Sequence, residues 1–290
     1  MPPKITETDL IINRDGSIYH LNLKPRHIAD TVIAVGDPSR VHRISQHFDK
    51  VEYEMNKREF ITHVGRYKGK KITVISSGMG TDNVEVFMTE LDALANIDFR
   101  KREPKARKRK LNIVRIGTSG SIQEDIRLGS HIMSEYAIGM DTLMSFYQLP
   151  QTELESTISE KFKRDIGLPF LPYCVRGSDL LINEFKDITR PGNTVTCPGF
   201  YAPQGRAVRT EISHPDIVDN FTYFHDDTFW LTNLEMETAG YYALGRLLGH
   251  EVISMNAIIA NRIRNRFSKN PNRVVDSLIK KVLDKISSFS

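Results

Sequence analysis

A branched apolar run, Leu111 to Ile116, delivers Arg115 and then breaks into Gly117, Thr118, Ser119 and Gly120. Run and break together predict a buried parallel strand ending in a loop, where small residues let backbone N–H groups approach a ligand. An unpaired guanidinium inside such a run is costly, so Arg115 requires a partner; a structural carboxylate and a bound anion both satisfy that need. A second apolar run, Thr31 to Val35, stops at Gly36-Asp37-Pro38-Ser39-Arg40, with Pro38 suited to a first helical turn. A helix N-terminus with an arginine nearby is a ready anion site, although the same residues also make an ordinary strand-to-helix turn. Arg40, Arg115, the Thr118 hydroxyl and backbone amides together would suit a tetrahedral oxyanion such as phosphate. Each charged hydrogen bond is worth about 1.5–3 kcal/mol.

Two other clusters offer different polar chemistry. Glu235 and Glu237 flank Met236, and on an extended segment both carboxylates point to one side, within reach of one ligand. Beside a phosphate they would repel it, so they suit the hydroxyls of a group such as ribose; acids also suit the helix start that follows at Thr238. Gln204 can pair with a donor and an acceptor on the edge of a base. Arg206 can hold a carbonyl oxygen that gains negative charge as the base leaves, and Phe200 can stack on the ring. Taken alone, Gln-Gly-Arg is also a common surface turn. GMGTDN at Gly78 is not GxGxxG and GRYKGKK at Gly65 is not a Walker loop, which excludes dinucleotide and P-loop chemistry.

The elements that must position these groups follow from periodicity. Strands are expected at Val51–Met55, Glu59–Tyr67, Lys71–Ser77, Gly129–Met140, Tyr173–Gly177, Thr194–Thr196 and Glu251–Ala260. The stretch between Gly177 and Thr194 reads as a polar loop. Helices are expected at Val41–Phe48, Asp82–Leu94, Gln151–Asp165, from Thr238 to Leu248 before Gly249, and at Asn272–Ser287, the last with an apolar stripe. Strands alternating with helices predict an α/β sandwich around one mixed sheet, with no interior linker to divide residues 1–290.

The 290 residues carry a net charge of +4, but its distribution matters more than its size. Residues 100–110, RKREPKARKRK, hold eight bases and one acid; the remainder of the chain has 32 bases against 35 acids. The basicity is therefore a local insertion, expected to be a solvated, mobile loop, and does not mark a nucleic-acid-binding fold. The polar first ten residues lack a signal-peptide core, and no apolar run is of membrane-spanning length. Cys174 and Cys197 lack CxxC spacing, so reduced thiols in a cytoplasmic protein are expected.

GDPSRV at Gly36, KREF at Lys57, VISSGMG at Val74, RIGTSGSIQ at Arg115, FYAPQGR at Phe200, NLEMETA at Asn233 and IIANR at Ile258 occur in an order that resembles the nucleoside phosphorylase-I family, on its uridine-cleaving side. The likeness runs from about His20 to the final helix. It implies a three-layer α/β/α sandwich around a central mixed, partly barrel-like sheet. It also implies a pentosyltransferase that cleaves a pyrimidine nucleoside with phosphate, uridine giving uracil and ribose 1-phosphate, in nucleoside catabolism or salvage. Phosphate is then a co-substrate, and no metal or other cofactor is implied.

Carried over residue by residue, the resemblance has Gly36, Arg40, Arg58, Arg115 and Thr118 binding phosphate. His20, Glu235, Met236 and Glu237 hold the ribose, while Ser119, Gly120, Phe200, Gln204, Arg206 and Arg262 surround the base. Arg115, Gln204, Arg206 and Glu237 form the catalytic set. Arg58 and His20 would reach a neighbouring subunit's site, which implies at least a homodimer, with hexamers also known among relatives. Purine-cleaving relatives carry an aspartate where this chain has Asn261, which favours a pyrimidine. The insertion at 100–110, the aromatic stretch Phe221–Trp230, expected at the pocket rim or a contact, and Arg264 and Arg266 depart from the family pattern. Two other activities fit parts of the pattern: hydrolysis by water, which would not need the arginines, and nucleotide or RNA binding through the basic run.

Overall fold

The structure, a computed structural model, describes residues 4–289; Met1–Pro3, at the head of the polar lead, and Ser290 lie outside it. Thr31–Val35 (β1) runs through an eleven-stranded mixed sheet, parallel to Lys70–Ser76 (β4) on one side and to Asn112–Ser121 (β5) on the other. Val32 to Val35 are all buried. Successive strand residues face opposite sides, so both faces are covered by helices and the architecture is the expected α/β sandwich. Phe60–Tyr67 (β3) and Lys50–Lys57 (β2) extend the sheet beyond β4 as antiparallel neighbours.

On the other side the sheet closes on itself. β5 pairs in parallel with Glu251–Asn261 (β10) and, through its last residues, antiparallel with Asn233–Glu235 (β9). His131–Gly139 (β6) bonds to β10, Arg190–Thr196 (β8) to β6, and β9 to β8, which completes a five-strand ring. This is the partly barrel-like arrangement. Tyr173–Arg176 (β7) adds to β6, and Arg266–Phe267 (β11) folds back onto the end of β10.

Helix boundaries follow local chemistry. Pro38–Ser45 (α1) starts where the Asp37 carboxylate accepts the Ser39 N–H at 2.9 Å. Thr81–Asn96 (α2) packs against Thr238–Leu248 (α6), which ends at Gly249 with φ 77°. Glu153–Ile166 (α3) opens on a Thr152–Glu155 capping box and closes at Gly167. Pro271–Ser287 (α7) buries Val275, Leu278, Ile279, Val282 and Ile286 of the predicted stripe against the sheet, while Val274, also expected on that face, is half-buried. Among the described residues no helix is long and apolar enough to cross a membrane.

Four expectations are corrected. Gly117–Gly120 is not a loop: β5 continues to Ser121, because β10 pairs along one side of it to the end and β9 takes up Gly120 and Ser121 on the other. The supposed polar loop after Gly177 contains a helix, Asp179–Phe185 (α4), capped by the Ser178 hydroxyl and anchored by buried Leu181, Ile182 and Phe185. The aromatic stretch 221–230, which begins in the short helix Ile217–Tyr223 (α5), contributes Phe221, Phe224 and Phe229 to a second apolar core that includes Phe162 of α3, rather than to the pocket rim. Only Tyr223 and Trp230 of these aromatics stand largely exposed.

The basic insertion is folded as well. Ile97–Asp98 and Glu103–Pro104 pair as a short hairpin, and Arg102 donates to the carbonyls of Ile5 at 2.7 Å, Thr6 at 2.6 Å and Leu10. Lys105 donates to Ala95 O at 2.7 Å, and Arg109 pairs with Asp30 at 2.8 Å. Its cations tie down the N-terminal segment and the entrance to β5, which a charge count does not reveal. Arg102→Ala removes charged hydrogen bonds worth about 1.5–3 kcal/mol each before solvent replaces them. Hydrogen exchange is expected to accelerate specifically in residues 5–10, with a melting temperature a few degrees lower and turnover unchanged. Undiminished protection of residues 5–10 would refute the tie.

Candidate active site

A cavity of about 720 Å³ opens where β1 and β4 end, bounded on the far side by β5, β9 and the last residues of β10. Ligand sites in open α/β sheets sit at such carboxyl ends, where strands diverge and leave a crevice. Gly36, Arg40, Arg115, Thr118, Ser119 and Gly120 line it, as do Phe200, Gln204, Arg206, Glu235, Met236 and Glu237. Four chain segments far apart in sequence are thus brought to one chamber. Arg58, His20 and Arg262 are not among the lining residues.

Arg115 is 3 % exposed and bonded on both terminal nitrogens. Nη2 meets Glu237 at 2.5 Å and Glu235 at 3.0 Å; Nη1 donates to the Ser254 hydroxyl and the Asn256 side-chain carbonyl, both at 3.1 Å. Burial works against the Arg115 charge, but Glu235 and then Glu237 outweigh it and hold the group above the ordinary arginine value. The carboxylate alternative for its partner is therefore realised. The guanidinium folds back over its own strand because residue 117 is glycine: a Cβ there would collide with Nη1 and with Asn256 Oδ1.

The two acids are not equivalent. Glu235 accepts from Thr196 Oγ1 at 2.7 Å and from the N–H groups of Glu237 and Thr238 at 3.0 Å, so it fastens the start of α6 as well as Arg115. Glu237 accepts from Arg115 and, through Oε1, from the Gly80 N–H at 2.9 Å. Burial pushes the Glu237 carboxyl up, and the Glu235 charge adds to that against the pull of Arg115. The separation expected between carboxylates and the cationic corner does not hold, because Arg115 belongs to both.

Arg40 is the contrasting cation. It is 8 % exposed; among the described residues its side chain makes one hydrogen bond, Nη1 to Ile116 O at 3.0 Å, and its buried Nε has no partner. Burial lowers its pKa to about 10, with the neighbouring Arg115 charge contributing, so it is protonated at neutral pH. A buried cation with an idle donor beside a cavity has the chemistry to accept an anion.

The base-side cluster forms its own unit. Gln204, 2 % exposed, accepts the Arg206 Nη1 proton on Oε1 at 2.5 Å, and Arg262 Nη1 donates to the Gln204 backbone carbonyl at 2.7 Å. The Arg206 guanidinium lies 3.9 Å from the Phe200 ring centroid, so one face of that ring already carries a cation. Burial, then the charge of Arg262, lowers the Arg206 pKa to about 10. Ser119 accepts from Asn233 Nδ2 at 3.0 Å. The Asn261 side chain is consumed by the Gln123 and Ile126 carbonyls and the Arg264 N–H, which turns it into a loop fastener.

His20 and Arg58 lie together outside the cavity. Tyr19 stacks edge-on against His20 at 4.8 Å and lies beneath Arg58 at 5.9 Å, while Glu90 of α2 receives the His20 ring at 2.7 Å. Sequence reasoning missed Ser254 and Asn256. Their signal was present: two polar residues at alternate positions of an otherwise apolar strand share one face, which here is the face toward Arg115.

With this geometry in view, comparison with known proteins identifies the fold. A model described as the phosphorylase superfamily matches residues 30–284. A uridine phosphorylase of Thermococcus kodakarensis is 28 % identical over 275 residues, covering 93 % of this chain and 86 % of its own. A DeoD-type purine nucleoside phosphorylase of Vibrio cholerae is 32 % identical over 262 residues, covering 88 % and 91 %. The crystal structure of a Trypanosoma brucei nucleoside phosphorylase with uridine phosphorylase activity superposes with a TM-score of 0.89 at 27 % identity, over 97 % of this chain and all of the other. The chain therefore belongs to the phosphorylase superfamily and is an enzyme of its nucleoside phosphorylase class.

Proposed function

We propose that the enzyme cleaves a pyrimidine nucleoside by phosphorolysis, with uridine and phosphate giving uracil and ribose 1-phosphate, as a cytoplasmic step of nucleoside catabolism or salvage. One observation carries the proposal: a single cavity holds a buried cation with an unpartnered donor, a carboxylate and an amide-guanidine edge. Arg40 and Arg115, with Gly36 and Thr118, hold phosphate; Glu237 and Met236 hold the ribose; Gln204 and Arg206 face the base, with Ser119, Gly120 and Phe200 around it. Glu235 serves the site by fastening Arg115, and Arg262 by supporting the Gln204 backbone.

In the reaction the C1′–N1 bond breaks as a phosphate oxygen bonds to C1′ from the opposite face of a sugar with oxocarbenium character. The electron pair leaves on the uracil ring, where Arg206 and Gln204 stabilise it, and solvent returns the proton. These steps use phosphate as co-substrate and call on no metal. Asn261, an amide already saturated by backbone groups, cannot protonate a purine ring, which supports a pyrimidine. A purine substrate is the second reading, favoured by the likeness to the Vibrio protein.

We further propose that the active form is at least a dimer, since the His20–Tyr19–Arg58 group lies outside its own cavity and is free to complete a partner's. The decisive assay offers uridine, thymidine, deoxyuridine, inosine and adenosine with and without phosphate. Phosphate-dependent release of uracil with ribose 1-phosphate is expected; purine release overturns the base assignment, and free ribose without phosphate overturns the reaction.

Gln204→Ala is expected to raise the uridine KM by about tenfold or more while phosphate affinity stays within about twofold, as fits a lost base contact. The reverse pattern, seen by calorimetry, would remove Gln204 from the base site. Since burial raises the Glu237 carboxyl, the ionised form that accepts from ribose hydroxyls is lost at a higher pH than an ordinary glutamate's. The acid limb of kcat/KM for the nucleoside is therefore expected above the ordinary glutamate range and absent in Glu237→Gln, whose rate is low throughout. An unchanged acid limb in that variant would assign the titration elsewhere.

A further inference from the structure

Asn256 lies at the centre of β10, fully buried and outside the cavity lining. Its Oδ1 accepts from Arg115 Nη1 at 3.1 Å, and its Nδ2 is buried without a partner among the described residues. A side chain kept only for packing has no reason to bring an unsatisfied donor into a core strand, where an apolar residue of the same volume avoids the cost. The acceptor oxygen is thus the half of the amide with a purpose.

That purpose follows from the charges around Arg115. Nη2 already faces two carboxylates, Glu235 and Glu237, while Nη1 faces two neutral acceptors, Asn256 and Ser254. With Arg40 included, the corner sets two cations against Glu235 and Glu237, and Asp37 also stands at the lining beside Arg40. A further carboxylate on Nη1 would make the corner more negative and repel an arriving oxyanion in a region of low dielectric, whereas fewer acceptors would leave Nη1 short of a bond and the guanidinium free to swing. A neutral carbonyl oxygen meets both demands. Gly117 makes the contact possible by leaving room for the guanidinium to reach β10.

We propose that Asn256 is a positioning residue for phosphate, holding Arg115 from behind with a neutral acceptor so that its charge remains available to the co-substrate. This rests on Arg115 facing phosphate, as proposed above. The test titrates inorganic phosphate by calorimetry and measures KM for phosphate and uridine in Asn256→Asp, Asn256→Ser and Asn256→Leu. Asn256→Asp, nearly isosteric, is expected to weaken phosphate binding about tenfold or more with the uridine KM within about twofold. Asn256→Ser, which keeps a neutral acceptor, is expected to stay within about threefold of the parent for phosphate, and Asn256→Leu to lose about tenfold.

Wild-type phosphate affinity in Asn256→Asp, or a loss in Asn256→Ser as large as in Asn256→Asp, overturns the proposal. Should the aspartate variant not fold, equal phosphate affinity in the serine and leucine variants does so instead. Arg115→Ala separates the two levels. If it leaves phosphate affinity unmoved, the assignment of Arg115 to phosphate falls and takes this one with it; if it weakens phosphate while Asn256→Asp does not, only Asn256 is exonerated.

Discussion

The Arg115 guanidinium is the constraint on which the rest of the molecule turns. It sits on β5, takes its acids from the end of β9 and the start of α6, and takes its neutral acceptors from β10. It therefore joins four of the strands and helices that meet at the barrel rim. Breaking a buried ion pair by removing one partner commonly costs about 3–5 kcal/mol, since the survivor is left charged and dry. Such a group is weak evidence for stability but strong evidence for register: β9 cannot slip against β5 without stranding Glu235 or Glu237.

Compensation of Arg115 throws the neighbouring Arg40 into relief. Both guanidiniums are buried in one chamber, yet one meets two carboxylates and the other, among the described residues, bonds to a single carbonyl. Equal cations would make a strong, indiscriminate anion trap. In the proposed reaction unequal ones divide the work: Arg40 would supply net attraction for phosphate, while Arg115 would tie that corner to the glutamate proposed to hold the sugar. Coupled in this way, the two halves of the reaction share one rigid group, and preorganised charge of this kind is the largest single source of catalytic stabilisation in many enzymes.

Much of this was legible in the chain. The apolar runs at Thr31, Leu111 and Glu251, with a glycine or polar break after each, announced buried parallel strands, and the stripe of the last helix was evident from its spacing. So was Arg115, because a guanidinium inside an apolar run stands out by type alone, whereas Gln-Gly-Arg, a common surface turn by itself, stands out only together with the other motifs. The helix at Asp179–Phe185 was hidden by its shortness, since seven residues hold too few turns for a periodic signal. The folded state of the basic insertion was hidden because its order comes from carbonyls of residues 5–10, nearly a hundred positions away.

What the sequence determined by itself was the kind of chemistry and the elements that carry it: residue types are local, and so are the periodicities that set strands and helices. Only the tertiary structure decided which charges meet. That Arg115 spends its Nη2 on Glu235 and Glu237, that Gly117 serves a folded-back side chain rather than a loop, and that Asn256 stands behind the guanidinium all depend on strands separated by more than a hundred residues closing into one ring, and Arg40 meets the same chamber because β1 lies beside β5. Electrostatic partnership falls off with distance in space, and distance in space is what the chain, read in order, does not contain.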